Sequence, residues 1–391
     1  MRCRSGVAGV FALLVVACSD ASAQSPGLTT TNSARAIESD KHTVAPTRGA
    51  PKPAKSTPTP AASDGKLPDR DKVNAVTVTI VTAPVGGAVS TMGSDMANVL
   101  DDGDNLRVLP ILGKGSVQNL VDILRLKSVD MGFMMSDALE FVKTEYAVPD
   151  IENRVDYIAQ MFDIEVHIVA PNEIKSVRDL EGKKIFAERN FGYYTLRNIF
   201  NRLHVTADVD SKTDIAGGLQ KVLNGEGDAW VGDITKVAPL IRNINNESGK
   251  FHLVSVPFDR AIQDLYLPAT LDSAEYPNLI PPGETVRTVA APILLMVYHW
   301  PEGSDRYNRV AKFVDALFTR IDEFHKPPRH PKWIEVNIAA TVPNLRRFKA
   351  AEDWLTLRRA AERANNVGRS TASDMTPDQL DEFLEWRRTR H

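Results

Sequence analysis

The chain has 391 residues, and its 47 lysines and arginines nearly balance its 50 aspartates and glutamates, for a formal net charge of −3. Because charges of both signs are interspersed, this balance excludes the basic surface of a nucleic-acid-binding protein. Beyond the first residues, no stretch of about 18 consecutive apolar residues is present, so we expect no transmembrane helix there.

The first residues have the pattern of an export signal. Two arginines precede an apolar stretch at 7–17, and Ala21-Ser22-Ala23 has the small residues of a cleavage site. We therefore interpret residues 1–23 as a signal peptide. A second interpretation competes, since Val15-Val16-Ala17-Cys18 matches the lipobox of bacterial lipoproteins, which are cut before a cysteine that is then lipidated. Both predict a periplasmic protein, and the second tethers it to a membrane through Cys18.

Residues 24–72 are rich in Pro, Ser, Thr, Ala and Lys and have almost no large apolar side chains. Such a composition cannot bury a core, so we expect a disordered linker. The two cysteines, Cys3 and Cys18, both precede this segment. The folded part is therefore predicted to have no disulfide.

After the linker, short runs rich in Val and Ile alternate with helical patterns, which is typical of α/β proteins. Runs at 76–81, 108–112 and 131–135 open a first βα series, which a short strand at 157–162 follows. After a pause at about 162–166, runs at 166–170 and 184–187 open a second series. The apolar run at 286–298 predicts a long strand that returns to the first series. We predict two α/β lobes with crossover strands and a helical C-terminal part. The predicted bounds are 73–163 for lobe 1, 164–257 for lobe 2, 258–360 for the return to lobe 1 with C-terminal helices, and 361–391 for a polar tail with a short helix.

Three turns connect a predicted strand to a predicted helix. Their sequences are Ala83-Pro84-Val85-Gly86-Gly87-Ala88, Gly113-Lys114-Gly115-Ser116 and Asn190-Phe191-Gly192-Tyr193-Tyr194-Thr195. Free backbone N–H groups and the helix dipole make such helix starts mildly positive, and in open α/β sheets they lie where ligands bind. We therefore predict one cleft for a small, anionic solute. The alternative is that these turns are ordinary βα connections, and none has a P-loop or Rossmann fingerprint.

The predicted cleft residues can offer an N–H group, a short polar side chain or a polar ring: Gly86, Gly87, Ser116, Asn119, Ser136, Asn190, Tyr193, Tyr194 and Thr195. Helix capping is the alternative role for the serines and Asn119, and core packing is the alternative for the tyrosines. Asp137 and Glu140 have the spacing of a capping box.

Several segments between residues 76 and 354 follow one another in a specific order. They include Gly86-Gly87, Gly115-Ser116-Val117-Gln118-Asn119, Val129-Asp130-Met131-Gly132-Phe133, Ser176-Val177-Arg178-Asp179-Leu180-Glu181-Gly182-Lys183 and Gly227-Asp228-Ala229. In this order they resemble the TAXI-type solute-binding subunits of tripartite ATP-independent periplasmic (TRAP) transporters. The chain departs from that family at residues 190–195, where the family has a small turn and this chain has a bulky one.

The resemblance implies a type II-like periplasmic binding protein whose two lobes close over a small solute, an organic acid or an amino acid. It implies that a membrane-embedded TRAP permease, driven by an ion gradient, receives the solute. We expect a monomer that uses no cofactor and no metal. Two other functions stay open: a membrane-tethered sensing or protein-interaction module that has lost solute capture, and a periplasmic enzyme. The enzyme is disfavoured because GxSxG, HExxH and CxxC patterns are absent from the sequence, and we predict no catalytic residue.

Overall fold

One mixed β-sheet runs through the folded part of the chain in the computed structural model, which describes residues 69–373. The predicted signal peptide, Cys18, most of the linker and the end of the tail lie outside the described residues. The strands are β1 (Thr77–Val81), β2 (Arg107–Ile111), β3 (Met131–Met135), β4 (Val155–Pro171), β5 (Lys184–Phe186), β6 (Asp208–Asp210), β7 (Ala229–Ile234), β8 (Phe251–Leu253), β9 (Leu267–Asp272) and β10 (Thr285–Tyr298). Their order is β2-β1-β3-β10-β4-β7-β5-β6, with β8 beside β4 and β9 beside β10.

Helices cover this sheet and form the C-terminal part. They are α1 (Arg70–Val76), α2 (Ala88–Leu100), α3 (Ser116–Arg125), α4 (Ala138–Glu145), α5 (Tyr194–Leu203), α6 (Ile215–Leu223), α7 (Pro239–Arg242), α8 (Asp305–Thr319), α9 (Ile321–Phe324) and α10 (Lys349–Ser373). Helix α10 continues past residue 360, where we expected the polar tail to begin. None of the helices between residues 69 and 373 combines the length and the apolar character needed to cross a membrane.

Two series of parallel strands build the two halves of the molecule. Strand β1 pairs with β2 and β3, and β5 pairs with β6 and β7. We call β1–β3 with α2–α4 lobe 1, and β5–β7 with α5 and α6 lobe 2. The apolar stripes of the helices face the core as their spacing predicts. Helix α5, for example, buries Leu196, Ile199 and Leu203.

Two long antiparallel strands join the lobes. Strand β4 pairs with β10 from Val155 opposite Tyr298 to Glu165 opposite Ala290, and then continues along β7 in lobe 2. The sequence predicted two short strands with a pause between them, and this detail is wrong. Asp163 continues the ladder opposite Pro292, so β4 is one strand of 17 residues. The two-lobe α/β architecture with crossover strands is confirmed.

The segment after β10 packs on lobe 1. Trp333 is fully buried, and its indole N–H donates to Asp95 of α2 at 2.9 Å. Arg346 pairs with the buried Asp156 of β4 at 2.6 Å. These contacts fix the segment after β10 to lobe 1 and to the strand β4, and leave the strand ends of both lobes free to form a site.

Candidate functional site

The residues that follow the parallel strands of both lobes line one cavity of about 80 Å³. This is the edge of the sheet where α/β proteins bind their ligands. Sites for organic ligands usually have about 300–1,000 Å³. The closed arrangement therefore admits only a small ligand.

The cavity has a mainly apolar lining with a few polar side chains. Its apolar side chains are Ala83, Pro84, Val89, Phe133, Met134, Met135, Ile164, Phe191 and Ile293. Its polar side chains are Thr82, Ser116, Asn119, Asn190 and Asp233. Within residues 69–373, Asp233 is the only ionisable residue of this lining, and no lysine, arginine or histidine lines it, so the lining does not favour an anionic ligand.

Ser116 and Asn119 both line the cavity, and they do not cap helix α3. The Ser116 hydroxyl accepts from the Met135 N–H at 3.0 Å. The Asn119 amide donates to the carbonyl oxygens of Thr82 at 2.5 Å and Phe133 at 2.7 Å. Helix α3 begins after Gly115 without a side-chain cap. The capping alternative is therefore wrong for these two residues, which instead hold the ends of β1 and β3 around the cavity.

The glycines of the first turn lie elsewhere. Gly86 and Gly87 are exposed in the loop after β1 and do not contribute to the cavity lining. A Cβ atom at either position would meet no atom within 4 Å. The structure thus does not bring these two predicted residues together with the others.

The turn before α5 extends from lobe 2 across the cleft to lobe 1. Asn190, a predicted residue that does line the cavity, packs against Gly115, where an added Cβ would lie 2.9 Å from the Asn190 Cβ. In the same turn Gly192 has a φ of +138°, and a Cβ there would lie 2.6 Å from the Val231 carbonyl oxygen. Gly115 therefore allows lobe 1 to approach Asn190 closely across the cavity, and Gly192 allows the turn to pack against β7 within lobe 2.

Tyr193 and Tyr194 pack between the lobes. Their rings lie 6.2 Å and 4.5 Å, respectively, from the ring of Phe141 in α4, measured between centroids. Tyr194 is 8% exposed and belongs to the hydrophobic core of lobe 1. Neither tyrosine lines the cavity, so the packing alternative describes both.

A buried polar cluster lies where the lobes meet. Thr195 Oγ1 is 2.8 Å from Asp137 Oδ2 and 3.0 Å from Asp233 Oδ2. The Tyr266 hydroxyl donates to Asp137 Oδ2 at 2.9 Å, and the Asn198 amide donates to the Asp137 carbonyl oxygen. All five side chains are buried. The cluster joins lobe 1 through Asp137 to lobe 2 through Thr195, Asn198 and Asp233.

Proton counting shows that at least one of the two carboxyl groups in this cluster is protonated. The Thr195 hydroxyl has a single proton and can donate to one carboxylate only. The other carboxyl must therefore donate to Thr195. Burial and the neighbouring Asp137 raise the pKa of Asp233 well above its usual range, while burial also raises the pKa of Asp137. We assign the proton to Asp233 and the negative charge to Asp137, which accepts from Thr195 and Tyr266.

Sequence reasoning missed most of this cluster. Asp137 was expected to cap α4, but its side chain makes no capping bond and points to Thr195 and Tyr266 instead. Asp233 and Tyr266 were not predicted at all. The only available signal was an acidic residue near the end of the buried strand β7.

Ser136 lines a second pocket of about 520 Å³ between α4, α5 and the segment before β9. Its hydroxyl is buried and has no hydrogen-bond partner among the described residues. In the same pocket Arg202 of α5 pairs with Glu140 of α4 at 3.1 Å and with Asp264 at 3.2 Å. The Arg202–Glu140 pair joins the two lobes, whereas Asp264 lies in the segment before β9. We take the smaller cavity as the candidate ligand site because residues at the strand ends of both lobes line it.

Comparison with known proteins yields structural similarity only. No protein-family model matches the chain, and the comparison with curated proteins finds no match. XAC2383 from Xanthomonas citri, bound to chloride, has 10% identity and a TM-score of 0.43 over 67% of this chain and 90% of its own. The periplasmic sulfonate-binding protein of a Methylobacillus flagellatus KT ABC transporter has 13% identity and a TM-score of 0.36 over 64% of this chain and 71% of its own. The substrate-binding protein of an amino acid ABC transporter has 13% identity and a TM-score of 0.34 over 62% of this chain and 93% of its own. At TM-scores below 0.5 these similarities carry no argument about function.

Proposed function

We propose that the protein is an extracytoplasmic solute-binding protein that holds a small solute in the cavity between its lobes. The observation that carries this proposal is that the strand-end segments of both lobes line one cavity. Since β4 and β10 are the strands that run from one lobe into the other, bending of these strands would open the cleft. We propose no enzymatic activity.

The next step in this function is delivery. We propose that a membrane-embedded TRAP permease, driven by an ion gradient, receives the solute. The resemblance of the segments between residues 76 and 354 to TAXI-type subunits supports this partner. The same proposal places the protein in the periplasm, either free or tethered through Cys18. The sequence also predicted an anionic solute, and the carboxyl group of Asp233 in the cavity lining gives no support to that part.

A variant whose cavity is filled by a larger side chain tests the proposal. Val89 is half-buried in the lining, whereas Val85, four residues earlier, is 80% exposed and outside the lining. Val89→Phe should place a ring in the cavity and abolish retention of a co-purifying solute, while Val85→Phe should leave retention unchanged. Native mass spectrometry and calorimetry with the recovered solute measure both. Undiminished solute binding by Val89→Phe would place the ligand site elsewhere.

One observation favours the sensing or protein-interaction module as a second candidate. The cavity is small because the turn that carries Asn190 fills the cleft and Tyr194 packs into lobe 1. A module that has lost solute capture would retain no solute and would show no difference between Val89→Phe and Val85→Phe in any binding assay. A protein partner captured equally by both variants would then identify the second function.

A further inference from the structure

The interlobe cluster contains a buried negative charge. We assign this charge to Asp137, whose Oδ2 accepts two hydrogen bonds, and the shared proton to Asp233, and both side chains are more than nine-tenths buried. Thr195 and Tyr266 donate hydrogen bonds to Asp137, but both are neutral. Within the described part of the chain, no lysine, arginine or histidine forms an ion pair with either carboxyl group. A buried charge is costly unless a charge of opposite sign is near.

One carboxyl oxygen of this cluster is free. Asp233 Oδ2 bonds Thr195, whereas Asp233 Oδ1 is buried and lacks a hydrogen-bond partner in residues 69–373. Asp233 is also the residue of this cluster that lines the cavity. Asp233 Oδ1 therefore needs a hydrogen-bond donor. A donor with a positive charge would both bond this oxygen and compensate the buried negative charge.

The remaining lining limits what this donor can be. The rings of Phe133 and Phe191 offer aromatic surface, which attracts cations. Metal ions need several oxygen, nitrogen or sulfur ligands. In the part of the chain that the structure describes, no group of three or more His, Cys, Asp or Glu residues is placed to hold one. At about 80 Å³ the cavity has about half the volume of an engineered cavity that binds benzene. It fits an organic ion of a few heavy atoms.

We propose that the cavity binds a small organic ammonium ion, with an N–H group donating to Asp233 Oδ1; this inference rests on the proposed function and names its ligand class. On binding, the proton of Asp233 moves to Thr195 Oγ1, and the Thr195 proton moves to Asp137 Oδ2. Two O–H bonds form and two break, and the negative charge shifts from Asp137 to Asp233. The carboxylate then faces the ammonium group directly.

The experiment uses methylammonium as the probe, with acetate as an anion of similar size and potassium as an inorganic cation. A molecule of two heavy atoms binds weakly, so the probes are used at millimolar concentration. Thermal unfolding and calorimetry of the wild type should show binding of methylammonium and neither of the others. Asp233→Asn keeps the shape and the acceptor oxygen but cannot take the charge, and should bind methylammonium about ten- to a hundredfold more weakly. Asp208→Asn, the same change at an exposed position, should bind like the wild type.

The outcomes separate this inference from the proposed function. Binding of acetate or potassium in preference to methylammonium would overturn the ammonium ligand, as would unchanged methylammonium affinity in Asp233→Asn. A solute that carries no ammonium group, recovered from the wild type and lost in Val89→Phe, would also overturn it while upholding solute capture. Absence of both probe binding and a retained solute would overturn both. Because Asp233→Asn can still donate to Thr195, its unfolding temperature should not fall below that of the wild type, which shows that the variant folds.

Discussion

Replacement of Thr195 by valine tests the bridge between the lobes. Valine has nearly the shape of threonine but lacks the hydroxyl that lies 2.8 Å from Asp137 Oδ2 and 3.0 Å from Asp233 Oδ2. The variant loses a hydrogen bond to a charged group, worth roughly 1.5–3 kcal/mol, and leaves the Asp233 hydroxyl without its acceptor, which costs about 1–3 kcal/mol more. The sum is a loss of about 2.5–6 kcal/mol in the free energy of unfolding. The lower value applies if the lobes separate enough for water to reach the carboxyl groups.

Denaturant unfolding and thermal scans measure this loss. At about 2–4 °C for each kcal/mol, Thr195→Val should lower the melting temperature by roughly 5–24 °C. Thr206→Val, the same change at an exposed position of lobe 2, serves as the matched control and should lie within about 0.5 kcal/mol of the wild type. A Thr195→Val variant as stable as the Thr206→Val control would refute the proton-sharing bridge.

Two further predictions concern stability. Because burial and its carboxyl neighbour raise the pKa of Asp233, the stability that this group contributes is complete below the usual aspartate pKa and falls as the pH rises through the folded-state pKa. Asp233→Asn should reduce that fall in a denaturation series across pH, and an identical pH profile would contradict the assignment of the proton. Gly192→Ala should lose at least about 2 kcal/mol, because it combines backbone strain with a clash at the Val231 carbonyl oxygen. Gly225→Ala, which has a positive φ but open space around it, should lose about 1 kcal/mol, and equal losses would show that the contact is unimportant.

The sequence located the strand ends because short runs rich in Val and Ile, followed by small-residue turns, carry a strong local signal. The run predicted at 108–112 is the strand Arg107–Ile111, and the run at 131–135 is Met131–Met135. The same signal led us to select Ser116, Asn119 and Asn190, since each lies in the turn or the helix start that follows such a strand. The predicted pause between two strands near residue 162 is wrong. Charged and polar residues can continue a crossover strand because the neighbouring strands on both sides supply its hydrogen bonds.

The chemistry of the site was less predictable. Asp137 lies 58 residues from Thr195 and 129 residues from Tyr266 along the chain. Only the folded topology brings them together, and no local spacing indicates it. The local signal at Asp137 favoured a helix cap, but in the structure its side chain bonds these long-range partners instead. Likewise, the tyrosines of the bulky turn suggested ligand contacts, but the ring of Tyr194 lies in the core of lobe 1 and the ring of Tyr193 packs against that core.

Native mass spectrometry of the protein purified without added ligand from the cells that make it tests solute capture between the lobes most directly. The wild type and Val85→Phe should carry one small solute, and Val89→Phe, with a ring in the cavity, should carry none. A wild-type protein that arrives with no solute, or a Val89→Phe protein that retains the same one, would contradict a solute site at this cavity.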